Sequence, residues 1–107
     1  MGKIEPQIIN TVKVFKEKVK DRYGIKRVIL FGSAGRGEIR EGSDIDLLIV
    51  VKKPVKKLVS KLLIEWHVSQ GINHPVDFLD YTEEEFDKAS KGITLASVAL
   101  KEGMEVT

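Results

Sequence analysis

Asp44-Ile45-Asp46-Leu47-Leu48-Ile49-Val50-Val51 decides the fold, because two aspartates lead directly into an unbroken apolar run. Successive side chains of a β-strand point to opposite faces of its sheet. Asp44 and Asp46 are therefore expected on one face, while Ile45, Leu47 and Ile49 take the other. We predict a buried strand that has two carboxylates at its beginning.

The segments that flank this strand alternate between helical and extended patterns. Glu5 to Tyr23 has apolar residues at steps of three and four, which predicts an amphipathic helix. Residues 27–31, an arginine followed by four apolar residues, predict a short strand, and a glycine-rich, charged connection from Ser33 to Gly42 follows it. A second helix is expected to begin at Pro54 and to end near Gly71.

The last third of the chain continues the alternation. Residues 75–80 predict a third short strand, and Thr82 with Glu85 forms a capping box that begins a short helix. Residues 95–100 are expected to be helical, and residues 104–106 to form an edge strand. The helical stripe of Glu5 to Tyr23 and the segment from Thr94 are either core or docking surfaces, and both interpretations stay open.

This order of elements predicts a single α/β (α+β) domain over residues 1–107, with a small mixed sheet flanked by helices. The second and third strands are joined by a helix that is long enough for a parallel crossover. The first and second strands must be antiparallel if Gly32 and Ser33 are to lie near Asp44 and Asp46.

Three aspartates are the candidate metal ligands. A parallel third strand would bring Asp77 alongside Asp44 and Asp46, at the same end of the sheet. Hard oxygen ligands of this kind suit Mg²⁺. Two such ions about 4 Å apart would stabilise the attacking and leaving oxygens of an in-line phosphoryl displacement. Aspartates at the start of a strand are also common turn residues, so a purely structural role remains an alternative.

The candidate phosphate-binding segment is Gly32-Ser33-Ala34-Gly35-Arg36-Gly37. Its glycines allow a polyphosphate to approach the backbone closely, Ser33 offers a hydroxyl group, and Arg36 offers a guanidinium. Taken alone, a glycine-rich turn is more often an ordinary loop. The segment matches neither a Walker loop nor a dinucleotide-binding fingerprint.

Taken together, Phe31 to Gly37, Ser43 to Val50 and Val76-Asp77-Phe78 resemble the minimal nucleotidyltransferases of the DNA polymerase beta superfamily. The resemblance implies that Gly32 and Ser33 hold the nucleotide's β and γ phosphates and that Arg36 is the basic position of the loop. It also implies that Asp44 and Asp46 bind two Mg²⁺ ions, with Mn²⁺ as a possible substitute, and that Asp77 binds the ion that activates the acceptor. ATP is the implied substrate.

The same resemblance implies a biological setting. Proteins of this size look like the antitoxin half of a toxin-antitoxin pair, in which the nucleotidyltransferase moves AMP from ATP to a tyrosine of a small all-helical HEPN toxin. One alternative is a catalytically inactive nucleotide-binding module that neutralises its partner by forming a complex. Another is a subunit that needs a separate acceptor-binding protein to modify a small molecule or RNA. Ala34 and Gly35 depart from the residues that are usual in the family.

The composition further narrows the classes of protein to which the chain can belong. The 107 residues include no cysteine and have a formal net charge of +2. The lack of cysteine excludes disulfide scaffolds and thiolate metal sites, and an intracellular, cytoplasmic protein is expected. No apolar run approaches the roughly 20 residues of a membrane span. The near-neutral charge gives no strong nucleic-acid signature, although Lys52, Lys53, Lys56, Lys57 and Lys61 could form a basic contact surface or merely a solvated one.

Overall fold

The chain folds as four helices and four strands within the part that the computed structural model describes, which comprises residues 6–32, 45–69 and 75–106. The helices are α1 (Pro6–Tyr23), α2 (Leu58–Ser69), α3 (Glu83–Ser90) and α4 (Leu95–Glu102). The strands are β1 (Ile25–Phe31), β2 (Ile45–Val51), β3 (Val76–Thr82) and β4 (Met104–Glu105). The predicted order of helices and strands is confirmed for the described residues.

The four strands form one mixed sheet in the order β3-β2-β1-β4. β1 runs antiparallel to both β2 and β4, whereas β2 and β3 are parallel. Both predicted strand relations, antiparallel for the first pair and parallel for the second, are therefore confirmed.

No helix in the described part of the chain combines the length and the apolar character that a membrane span requires.

One face of the sheet is covered by α1 and α2. Ile45, Leu47 and Ile49 of β2 point to this side and are completely buried. Phe15 of α1 and Trp66 of α2 meet here with ring centroids 5.2 Å apart, in an edge-to-face arrangement. The apolar stripe of α1 is thus part of the core and not a docking surface. This decides the choice that the sequence left open for this helix.

The other face of the sheet is covered by α3 and α4. Leu48 and Val50 of β2 pack on this side with Phe86 of α3 and with Ala96 and Ala99 of α4. The side chain of Thr82 accepts a hydrogen bond from the backbone N–H of Glu85, whose carboxylate accepts one from Thr82 N–H, so the predicted capping box begins α3.

Some predicted boundaries were wrong. The second helix begins at Leu58 instead of Pro54, because Lys57 has a φ of +54° and this left-handed backbone cannot be part of a right-handed helix. Val55 still packs partly buried against the core. β1 begins at Ile25, two residues before the predicted start, and β3 continues to Thr82.

Candidate active site

Asp46 and Asp77 are direct neighbours on two parallel strands. The register of β2 and β3 pairs Asp46 with Asp77, immediately after the pair Ile45 and Val76. Adjacent strands are roughly 4.8 Å apart, and alternation directs both side chains to the face that α3 and α4 cover. Asp46 is half-buried and Asp77 is exposed. The topology thus brings together two of the three aspartates that the sequence singles out.

Gly32 lies against Asp46 at the end of β1. Phe31 pairs with Asp46 across the antiparallel ladder, so the next residue passes directly over the Asp46 side chain. Gly32 has a φ of +69°, and a Cβ atom at this position would collide with Asp46 Oδ2. Only glycine satisfies both the left-handed backbone and the close approach without strain.

These residues line one pocket of about 550 Å³. Gly32, Asp46 and Asp77 form its polar wall, and the apolar side chains around them are Phe31, Phe78, Leu79, Leu95 and Val98. A cavity of this size lies in the range that small-molecule sites usually occupy. A few convergent polar groups within an apolar lining are also typical of binding sites.

The donor chemistry of the pocket fits a magnesium ion, because Mg²⁺ is commonly bound through one or two carboxylates with water and phosphate completing its octahedron. Asp46 and Asp77 would supply these carboxylates. Among the described residues no group of three or more His, Cys, Asp or Glu side chains could hold a metal. Three of the predicted site residues, Ser33, Arg36 and Asp44, lie outside the described part of the chain.

The sequence did not indicate Leu95 and Val98 as site residues. These side chains are three positions apart on α4 and hence on one side of the helix, above the pocket that contains the aspartates. They are 56% and 44% exposed, respectively. No pattern in the sequence marks this orientation, because apolar residues occur on both sides of α4, and it is the small Ala96 and Ala99 that pack on the sheet.

An ion pair occupies the same face of the sheet nearer the other end of β1. Arg27 Nη2 donates a hydrogen bond of 2.6 Å to Glu105 Oε1 of β4, and the guanidinium lies 5.0 Å from the ring centroid of Phe86. The hydrogen bond from Arg27 is the main cause that lowers the pKa of Glu105, and the same bond raises the pKa of Arg27. These charges are paired within the fold.

Comparison with known proteins identifies related chains. Spectinomycin 9-adenylyltransferase of Staphylococcus aureus is 46% identical over 66 residues, which are 60% of this chain and 24% of that enzyme. This chain thus spans about a quarter of that relative. A Methanocaldococcus jannaschii protein, named "Putative protein adenylyltransferase MJ0126", is 32% identical over 73 residues, which are 68% of this chain and 74% of that protein.

A solved structure has the same fold. The crystal structure of a "putative nucleotidyltransferase from Sulfolobus solfataricus" superposes with a TM-score of 0.55 at 28% sequence identity. The match covers 77% of this chain and 73% of that one. In addition, the family model described as "Nucleotidyltransferase domain" matches residues 12–101. This chain therefore belongs to the nucleotidyltransferase domain family.

Proposed function

We propose that this chain, as a single domain over residues 1–107, is a metal-dependent adenylyltransferase that moves AMP from ATP to a hydroxyl acceptor. The observation that carries the proposal is the register of Asp46 with Asp77 beside Gly32, all lining one pocket. The relatives support the choice of nucleotide, because those from S. aureus and M. jannaschii are both named adenylyltransferases.

The proposed roles follow the resemblance residue by residue. Gly32 and Ser33 bind the terminal phosphates of ATP, and Arg36 neutralises phosphate charge. Asp44, Asp46 and Asp77 would hold the Mg²⁺ ions, which supply positive charge to the transferring phosphoryl group when bound. The described geometry supports this for Gly32, Asp46 and Asp77, which share the pocket.

The reaction balances as a single in-line displacement. The acceptor oxygen forms a bond to the α phosphorus, the bond between that phosphorus and the bridging oxygen breaks, and pyrophosphate leaves. Asp77 lies at the exposed side of the aspartate pair, where it can accept the proton of the acceptor hydroxyl. Holding the two reacting groups in line accounts for roughly 7 to 11 kcal/mol of the barrier in well-oriented reactions.

The proposed acceptor is a tyrosine of a small all-helical HEPN toxin, so the role proposed for this chain is that of a cytoplasmic antitoxin. Two observations support a protein acceptor. The relative from M. jannaschii is named as a protein adenylyltransferase. Three large apolar side chains, Ile93, Leu95 and Val98, are also exposed, and Val98 lines one pocket with Ile93 and another with Leu95. An exposed apolar patch of this kind marks an interaction site in many proteins.

Thermal unfolding tests the nucleotide site first. A ligand that binds only the folded state stabilises it by about 2.7 kcal/mol at 100 times its Kd. We expect the melting temperature to rise when ATP and Mg²⁺ are added together and to change little with either one alone. The matched control is Asp77→Asn, in which the combined effect should be lost. No shift with the combination would contradict the proposal.

Group transfer tests the reaction. The chain is mixed with α-³²P-ATP, Mg²⁺ and a candidate HEPN protein, and the intact mass of that protein is then measured. The expected result is radioactive label on the partner and an added mass of one or more AMP groups, mapped to tyrosine. A stable complex with an accessible tyrosine and no added mass would instead establish the inactive, sequestering module.

A further inference from the structure

The pocket has an apolar wall as well as its aspartates. Leu95 and Val98 extend from α4 over the same pocket that Gly32, Asp46 and Asp77 line. Both side chains are about half exposed, although the neighbouring Ala96 and Ala99 are completely buried against the sheet. Two large apolar groups are therefore held at the mouth of a polar site, where a bound molecule would remove them from water.

This wall is held firmly in place. Thr94 caps α4, because its hydroxyl accepts a hydrogen bond from Ser97 N–H and donates one of 2.6 Å to the carbonyl oxygen of Ala89 at the end of α3. At the other end of the helix, a Cβ on Gly103 would lie 2.5 Å from the Ala99 carbonyl oxygen and 2.7 Å from that of Leu30. The helix is thus tied to α3 at its beginning and packed tightly on β1 at its end.

Resting on the proposed function, we infer that Leu95 and Val98 are the residues by which the site selects the aromatic hydroxyl of its acceptor. Leucine and valine side chains have no hydrogen-bonding groups, so they cannot recognise the several hydroxyls of a sugar or cyclitol. A phenol needs only apolar contact for its ring and one polar neighbour for its oxygen. The pocket offers this combination, with Asp77 as the polar neighbour.

The same helix supplies a matched control. Leu100 is 46% exposed, close to the 44% of Val98, but it lines a different cavity together with Arg27, Val50 and Phe86. Substitution of Leu100 thus changes the surface polarity of α4 by the same amount without altering the wall of the aspartate pocket. Leu95→Gln and Leu100→Gln form a matched pair, and Val98→Thr changes polarity at nearly constant shape.

The experiment measures binding of three probes by titration calorimetry in the presence of Mg²⁺. The probes are AMP, the phosphodiester of AMP with the hydroxyl of N-acetyltyrosinamide, and the corresponding phosphodiester with N-acetylserinamide. We expect the wild-type chain to bind the tyrosine conjugate about 10-fold more tightly than the serine conjugate, because only the ring buries apolar surface. Leu95→Gln and Val98→Thr should remove most of this ratio and leave AMP binding unchanged. Leu100→Gln should keep both the affinity ratio of the two conjugates and the binding of AMP.

The other outcomes are decisive as well. Equal affinity of the wild-type chain for the two conjugates would overturn the inference while leaving the nucleotide site intact. An equal loss of AMP and conjugate binding in Leu95→Gln would also overturn it, because the wall would then contact the nucleotide. Failure of the wild-type chain to bind AMP or ATP with Mg²⁺ would instead refute the proposed function itself.

Discussion

The two faces of the sheet come from the same strands but differ in how completely they are filled. On the side of α1 and α2, the ring centroids of Phe15, Trp66 and Phe78 lie within 6.3 Å of one another, and the three rings fill the core. On the side of α3 and α4, Asp46 and Asp77 stand beside a pocket of about 550 Å³. One face is built for stability, and the other leaves space for a ligand at the expense of packing.

Alternation along a strand produces this division. In β2, Ile45 and Leu47 point to the filled face, whereas Asp46 between them points to the open one. Moving the register by one residue would exchange the two sets of side chains. The buried residues therefore hold the aspartates in place, and changes on the two faces should be separable in their effects.

The largest effect on stability is expected for a substitution in the core on the filled face. Trp66→Ala should lower the free energy of unfolding by about 3–5 kcal/mol, because a large cavity would form beside Phe15 and Phe78. This is a substantial part of the roughly 5–15 kcal/mol that holds a typical domain folded. Denaturant titration measures the loss. Ile64→Ala, on the exposed side of the same helix, is the control and should cost under about 0.5 kcal/mol.

The second-largest effect is expected for a substitution on the open face, which should lower AMP transfer without lowering stability. Asp77→Asn should reduce AMP transfer by at least about 100-fold, since removing even an indirect partner of a metal ligand commonly costs 10-fold to 100-fold. Stability should be unchanged or higher, because like charges directly opposite each other on adjacent strands are destabilising. Asp80→Asn, on the same strand but the opposite face, should leave transfer intact. A large loss of stability in Asp77→Asn would mean that the carboxylate is structural.

The sequence was sufficient to predict this arrangement of strands and aspartates for a physical reason. A strand of alternating character has only one register that buries its apolar side, so the position of Asp46 followed directly from its apolar neighbours. The helix between β2 and β3 then favoured a parallel pair, which placed Asp77 beside Asp46. Local signals such as the capping box of Thr82 and Glu85 needed no tertiary information at all.

Other features could not be read from the sequence. The start of α2 depends on the left-handed backbone of Lys57, which no residue preference indicates. The orientation of α4 was equally hidden, because apolar residues occur on both sides of this helix. Close packing on β1 requires small residues, so the alanines turn inward and Leu95 and Val98 are left over the pocket.

A smaller effect on stability is expected for a substitution of Gly32, where β1 ends beside Asp46. Gly32→Ala would place an L-residue in left-handed backbone, which costs roughly 1–2 kcal/mol, and would push the new Cβ into the Asp46 carboxylate. Gly24→Ala is the matched control, since Gly24 has a similar φ of +66° but no atom within 4 Å of its added Cβ. Both variants should lose stability in thermal unfolding. Only Gly32→Ala should also lose transfer, and an equal loss in both would show that the contact with Asp46 is unimportant.

The smallest effect concerns the Arg27–Glu105 pair, which stabilises the open face away from the aspartates. The pKa of Glu105 is lowered in the folded state, mainly by the hydrogen bond from Arg27. The folded state therefore favours ionised Glu105, so this contribution is fully present above the unfolded-state pKa of about 4.3. It is lost as the pH falls through the lower folded-state pKa. Its size should stay below about 1 kcal/mol, because both side chains are roughly a third exposed.

The measurement compares unfolding free energies of the wild-type chain and Glu105→Gln between about pH 7 and pH 3. The difference should be constant near neutral pH and should shrink on acidification, since protonated Glu105 resembles glutamine. Glu84→Gln is the control, because Glu84 is 82% exposed and 3.5 Å from Lys88, a pairing too open to contribute measurably. A difference that persists unchanged at low pH would show that Glu105 stabilises the edge strand through packing and not through its charge.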